Sequence, residues 1–546
     1  MPHQHEPYAR LAFAAALVGC GLTAQTAAAA DLPATPDDYQ SVLGQLAPGD
    51  VMVLAPGEYP RLSIDGLHGT EDDWITIRGP EDGSAVITSN ACCNTVQIEN
   101  SSYLAVVGLT IDIGGLAVDG VNAKDSYTHH IRIEDNWIEG FPEGAQQIVG
   151  INTKATAYAW EIRGNTIVAP GTGMYLGNSD GNAPFIGGVV DRNLITDSVG
   201  YCMQIKHQNA YQAPAGVEGP QTTVISRNVF IKDDTPSPDG ARPNLLVGGF
   251  PDQGDGADDR YEIYGNFLFY NPAESLFQGT GRISMHDNVL VGTGAGGTAI
   301  ALQSHQGHDM RLANVYNNTI YGVDTGVSLG GTAAQGSAVV GNLIFAANPI
   351  SGAFDVDADN LVASVGEADT YVVEPSTTLG AMDFFPLDGE VVGPPLDLAG
   401  FSEDSAYDRD FNGASKGRFA HRGAYAGSGA NPGCPLEASI DCDPPDDGGD
   451  DGSDDGDDGM DDGPDDGADS EEGGADSTGG DGADTGGPGG STADGGDEGS
   501  GSGVPADGGS SDPDTEAGCS CRAPGSGQTP PWWLAIALLA LPRRRR

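Results

Sequence analysis

The chain has 546 residues, 24 Lys and Arg against 79 Asp and Glu, and a formal net charge of −55. That balance excludes a nucleic-acid-binding protein, since no broad basic footprint is present. The length suits one large elongated unit with appendages at both ends.

The N-terminus carries Arg10, an apolar run from Leu11 to Val18 and then small residues. This is the pattern of a secretory signal and is far too short to span a bilayer. Two processing points remain open. One follows Ala28-Ala29-Ala30 and releases a chain starting at Asp31. The other is Leu17-Val18-Gly19-Cys20, which resembles a lipobox and would leave a lipidated Cys20. With the first, residues 1–30 are the signal peptide.

Residues 31–432 are dominated by a returning pattern in which apolar pairs flank an asparagine. It reads Ile131-Arg132-Ile133-Glu134-Asp135-Asn136-Trp137-Ile138, then recurs around Asn165, Asn193, Asn228, Asn266, Asn288, Asn318 and Asn342, at spacings of 22 to 38 residues. A repeat of this length marks a solenoid, whose units cannot bury their apolar faces alone. Each copy predicts a strand, a corner and a second strand. Asn suits the corner because it tolerates a left-handed backbone. Stacked corners put the amides in a hydrogen-bonded column. A third strand follows each pair, at Gly173–Leu176, Cys202–Lys206, Pro243–Val247, Ser275–Phe277, Thr298–Gln303 and Gly326–Leu329. Three short strands per turn without helical periodicity predict an all-β chain, a three-strand parallel β-helix. The irregular spacing falls mostly before the third strand, so insertions should emerge at one edge and line a binding face.

The segment 355–422 lacks the clean repeat; Tyr407–Gly413 and Arg422–Tyr425 are expected to close the C-terminal end. Residues 433–517 form an Asp/Gly/Ser-rich stalk. Between Asp441 and Glu516 it has no aromatic residue, Lys or Arg, and so predicts a disordered, extended linker. Cys434 and Cys442 are expected to pair, and Cys92, Cys93 and Cys202 to be structural, with Cys92 or Cys93 the candidate partner of Cys202.

Two resemblances follow from these residues. Gly49–Tyr59 and Trp74–Gly79, followed by Ala85-Val86-Ile87, resemble the first turns of right-handed parallel β-helix proteins of the pectate-lyase-like and chondroitinase-B-like superfamily, alginate lyases included. The resemblance covers roughly residues 31 to 430. It implies that substrate lies along the third-strand face, and is weak for the reaction because this fold hosts many activities. Residues 518–546 contain Cys519-Ser520-Cys521, the apolar run Trp532–Leu541 and Arg543–Arg546. They resemble the MYXO-CTERM sorting signal of myxobacteria and relatives, which implies processing near Cys519 or Cys521 and retention at the outer cell surface.

On the third face, strand alternation turns Gln204, Lys206, Gln303 and His305 outward. Lys206, Arg242 and His305, stacked within one or two rungs, are the expected catalytic group. Gln204, His207, Arg260, Phe277 and Gln303 are the expected substrate contacts. Asp252, Asp255, Asp258 and Asp259 are candidate ligands for a calcium ion. His308, Arg311 and His286 stand behind these. A basic cluster on an acidic chain suits an anionic sugar. Elimination beside a uronate needs a base for the C5 proton and a cation for the developing enolate. The expectation is thus an exported, surface-anchored, monomeric protein that acts on or binds extracellular anionic polysaccharide, by a lyase-type β-elimination if it is an enzyme. The rival is a non-catalytic adhesin or display module, for which the third face would be flat, small and aliphatic.

Overall fold

The computed structural model describes residues 29–90, 93–292, 297–433 and 435–440. The signal segment up to residue 28, Cys20, Cys92, Cys434, Cys442, nearly all of the acidic stalk and the C-terminal sorting segment lie outside the described residues.

Three stacks of short parallel strands wind around one apolar core. The first face runs from Asp31–Ala34 to Val356–Ala358. The second runs from Gly57–Pro60 to Leu361–Ala363, and the third from Leu62–Asp65 to Thr298–Gln303. Near the end the second and third faces fuse, because Thr319–Gly330 and Leu343–Ser351 continue through the corner as single strands. Among the described residues the one antiparallel strand pair is Val372–Glu374 with Asp383–Pro386. The chain is a parallel β-helix.

Alternation within each strand decides what enters the core. On the third face Val121, Ile151, Met174, Met203, Leu245, Phe277, Ile300 and Val327 stack in register, all fully buried. At the N-terminal end the short helix Tyr39–Leu43 lids the coil; Tyr39 packs edge-on to Tyr59 at 5.3 Å between ring centroids.

The asparagine column exists and reaches one rung beyond the expected set. Each Nδ2 from Asn136 to Asn342 donates to Oδ1 of the next asparagine at 2.9–3.0 Å, ending on Asn360. The same Oδ1 atoms accept the backbone N–H of the previous asparagine, as Asn228 N to Asn266 Oδ1 at 2.9 Å. The column asparagine is not itself the left-handed residue of the corner. The left-handed residue is the one before it: Asp135, Gly164, Arg192, Arg227, Gly265, Asp287, Asn317, Gly341 and Asp359 all have φ between 51° and 65°. Asparagine is required for its amide, which satisfies corner backbone groups that no sheet partner reaches.

The C-terminal segment also differs from expectation. It does not lie across the end of the coil. From about residue 364 it folds back along the flank formed by the first two faces. Phe384, Phe385, Val391 and Tyr425 cover outward residues of the second face from Leu194 to Phe345. Leu396, Leu398 and Phe401 cover Tyr316, Ala338 and Val340 on the first. Under this strap lies a sealed polar network. Lys416 Nζ donates to Asp287 Oδ2 at 2.6 Å and to Tyr407 O at 2.9 Å, and His286 Nδ1 meets the same carboxylate oxygen at 2.7 Å. Tyr264, His286, Tyr316 and Phe401 stack as one column, with neighbouring centroids 4.3–5.2 Å apart.

Cys202 is a buried thiol, 3.6 Å from Ile231 O, and not half of a disulfide; burial pushes its pKa up to about 12.

Candidate functional site

The strap leaves the third face bare, and long loops rise from both of its edges rather than one. Segments 140–148 and 232–244 flank the entering edge; 206–221, 248–259 and 304–311 flank the leaving edge. They brace one another. Gln146 Nε2 donates to Gly240 O at 3.0 Å, and Tyr127 Oη to Ala215 O at 3.0 Å.

The expected residues fall into separate places. Gln204 points outward in mid-face and Lys206 stands at the leaving edge. Arg242 does not join Lys206. Leu245 pairs with Met203, so Arg242 lies three residues before the strand pair and Lys206 three after it. Six residues of extended chain separate them by roughly 15–20 Å. Arg242 lies instead 5.7 Å from the Tyr201 ring and binds the carbonyls of Ala241 and Asp239.

Phe277 is fully buried in the core. Its strand is Phe277–Gly279 rather than 275–277, and pairing of Phe277 with the inward Leu245 and Ile300 makes Gln278 the outward residue. Arg260 is on the first face, paired with Glu262 and with Asp404 of the strap at 3.1 Å. Neither side chain is presented on the outer side of the third face.

The histidines do gather. The hairpin joining His305 to His308 folds back until the His308 ring is 5.1 Å from the His207 ring. Gly248 and Gly249 allow this approach. A Cβ on Gly248 would stand 2.3 Å from His207 N, and one on Gly249 2.3 Å from His308 Cβ. Burial, then the Lys206 ammonium, lowers the His207 pKa to about 4, so its imidazole is neutral at pH 7. Gln303 lies on this side of the face, three rungs from Lys206 by register.

The four aspartates each have a protein partner. Asp252 meets Arg311 at 2.9 Å, Asp258 meets Arg282 at 2.9 Å, Asp255 accepts Ala213 N at 2.7 Å, and Asp259 accepts Gln221 N at 2.7 Å. Asp255, Asp258 and Asp259 line one cavity of about 220 Å³ with Tyr211, while Asp252 turns away. No group of three or more His, Cys, Asp or Glu arranged to hold a metal ion occurs among the described residues.

A second set of residues emerges instead. The chain has five lysines. Lys232 and Lys416 are buried. The other three, Lys124, Lys154 and Lys206, share one register column at the leaving edge of the third face, interrupted only by Gly177. Lys124 and Lys154 are one rung apart, ~4.8 Å, and Lys206 lies two rungs further, ~10 Å. The Lys124 and Lys154 side chains are 44% and 52% exposed, so they face solvent across the groove. Mid-face beside them runs a column of Gln97, Asn122, Asn152, Tyr175 and Gln204. Asp119, at the entering edge, accepts the Nδ2 groups of Asn122 and Asn152 at 3.1 and 3.0 Å. A sequence signal for this set exists: Val121-Asn122-Ala123-Lys124, Ile151-Asn152-Thr153-Lys154 and Met203-Gln204-Ile205-Lys206 repeat apolar, amide, small or apolar, lysine.

No known protein family matches the sequence, and no curated protein does. Solved structures with a similar course include an alginate lyase from Paenibacillus sp. str. FPU-7, at 19% identity over 60% of this chain and 99% of that one, TM-score 0.35. Pectate lyase Pel9A matches at 10% identity over 75% and 96%, TM-score 0.37. The A-module of the Azotobacter vinelandii mannuronan C-5 epimerase AlgE6 matches at 15% over 60% and 93%, TM-score 0.34. These values carry no activity across to this chain.

Proposed function

We propose that this protein engages an extracellular anionic polysaccharide along its third face, as a surface-displayed binding protein with lyase-type β-elimination as its reaction. One observation carries the reading. All the lysines that solvent can reach stand in one column on one face of a chain of net charge −55. Lysine ammoniums at rung spacing match a polymer bearing one carboxylate per sugar, and a local basic stripe on an acidic protein draws a polyanion to it.

In the elimination, the Lys206 ammonium stabilises the charge that develops at the uronate carboxylate. The neutral, half-buried imidazole of His207, beside it, takes the C5 proton in this reading. The separation of Lys206 from Arg242 favours the second reading, binding without cleavage, since it removes the expected partner cation. Export through the N-terminal segment and retention by the C-terminal one belong to the same proposal; the stalk then holds the coil away from the membrane.

The test uses the full chain with alginate, pectate and glycosaminoglycans, with and without calcium. Affinity electrophoresis reads binding, and absorbance of unsaturated ends reads cleavage. Retardation with new absorbance supports the lyase, and retardation alone supports the adhesin. No retardation by any polyanion overturns the reading. A calcium requirement would show that an ion takes part in engagement of the polymer.

A further inference from the structure

Asn122 and Asn152 occupy the same register position on adjacent rungs, and each is only 1% exposed. Both donate through Nδ2 to one carboxylate oxygen, Asp119 Oδ2. The other oxygen of Asp119 accepts Val149 N at 3.0 Å. An ionised carboxylate only accepts, so Asp119 fixes which way round both amides sit. Their nitrogens turn to the entering edge and their oxygens away from it. Those two oxygens, Asn122 Oδ1 and Asn152 Oδ1, are buried without a hydrogen-bond partner.

A buried acceptor without a donor is destabilising, and natural folds rarely keep two side by side. The asparagines of the corner column show the contrast, since each of their amides is satisfied on both sides. Lys154 adds the other half. Its Nζ crosses from the leaving edge to within 3.9 Å of Asp119 Oδ2, so its chain passes over Asn152. The contact is long and half the side chain is exposed, so a better anion can take the ammonium away.

We propose that Asp119, Asn122, Asn152 and Lys154 form a saccharide subsite that reads hydroxyl donors. When a uronate residue arrives, Lys154 leaves Asp119 for its carboxylate. That movement uncovers the two amide oxygens, which accept from neighbouring ring hydroxyls of the same sugar. Asp119 stays in place as the group that holds both amides in the accepting orientation. This rests on the third face being a polysaccharide surface. It adds a specificity: sugars whose hydroxyls are blocked are refused, because the two acceptors then stay unpaired and buried.

The test is calorimetric titration of the full chain with defined-length oligouronates and with the same oligomers O-acetylated on their ring hydroxyls. The expected result is at least roughly tenfold weaker binding of the acetylated form. In the Asn122→Leu/Asn152→Leu variant, assayed below its own unfolding midpoint, that preference disappears. Equal wild-type binding of both forms overturns the subsite and leaves the lysine-column reading standing. A folded Leu variant that still discriminates overturns it as well. Wild type that binds neither form overturns both readings together. The wild-type comparison needs no variant, so it decides the matter even where the Leu pair does not fold.

Discussion

Two stretches of the same coil treat outward polar side chains in opposite ways. On the strapped flank, His286, Asp287, Lys416, Tyr316 and Asp404 are roofed by the chain's own C-terminal segment and bond to one another across more than 80 residues of sequence. On the third face, Asn122, Asn152 and the lysine column have no roof, and two of their acceptors have no donor. Burial alone does not separate the two, since Asn122 is as hidden as His286. Unpartnered atoms do not separate them either, since His286 Nε2 and Asp287 Oδ1 lack a hydrogen-bond partner as well. What separates them is the covering chain: the flank's polar groups are locked under a tail of more than fifty residues, whereas those of the open face lie beneath a single lysine side chain that can move.

The sharpest way to break this contrast is Lys416→Ala. It leaves the Asp287 carboxylate buried without its cation and should destabilise the chain by about 3–5 kcal/mol, read by denaturant unfolding, with polymer binding per folded molecule unchanged. The converse is Lys124→Gln/Lys154→Gln/Lys206→Gln. It should weaken oligouronate binding by about a hundredfold, ~2.7 kcal/mol, and leave the unfolding midpoint almost where it was. If the lysine variant unfolds early, or the Lys416 variant loses polymer, the two regions are not divided as described.

A smaller effect is expected at the corner. Asn266→Ala removes the acceptor of the Asn228 amide and the donor to Asn288 Oδ1 and Ile225 O. It should cost about 2 kcal/mol in the same unfolding measurement, and Asn360→Ala at the half-buried column end less than about 1 kcal/mol.

The effect that is smallest near neutral pH lies in acid. Burial, and then the Lys416 ammonium, lowers the His286 pKa from 6.5 to about 3. Between those values the unfolded chain binds a proton that the folded chain refuses, so stability rises with pH there. The contribution is complete above pH 6.5 and is lost on acidification towards pH 3. Relative to His286→Phe, which keeps the ring stack, wild type should lose about 1 kcal/mol per pH unit over that window.

The coil was legible because its signal is local. Apolar alternation and a recurring asparagine state the rung without reference to anything distant. The site was less so, for two physical reasons. Side-chain direction on a short strand is set by its register with its neighbours, and the pairing of Phe277 with Leu245 and Ile300 places it in the core rather than the groove. Loops of different length also separate the lysines by 30 and then 52 residues, so their common column shows only when each is counted from its own strand. Arg260 looked like part of a loop facing substrate. It opens a first-face strand instead, and the strap that claims it is over 140 residues away in sequence.

The strap also sets where this molecule can grow. A solenoid lengthens most simply by copying a turn. Between Leu194 and Phe345 an inserted turn would shift every point at which the tail grips the flank. Ahead of that stretch, among the described residues, only the loops fasten one turn to a distant one. The stack bearing Lys124 and Lys154 lies in this unclamped half, so an added turn there would extend the cationic row by one position without disturbing the lock.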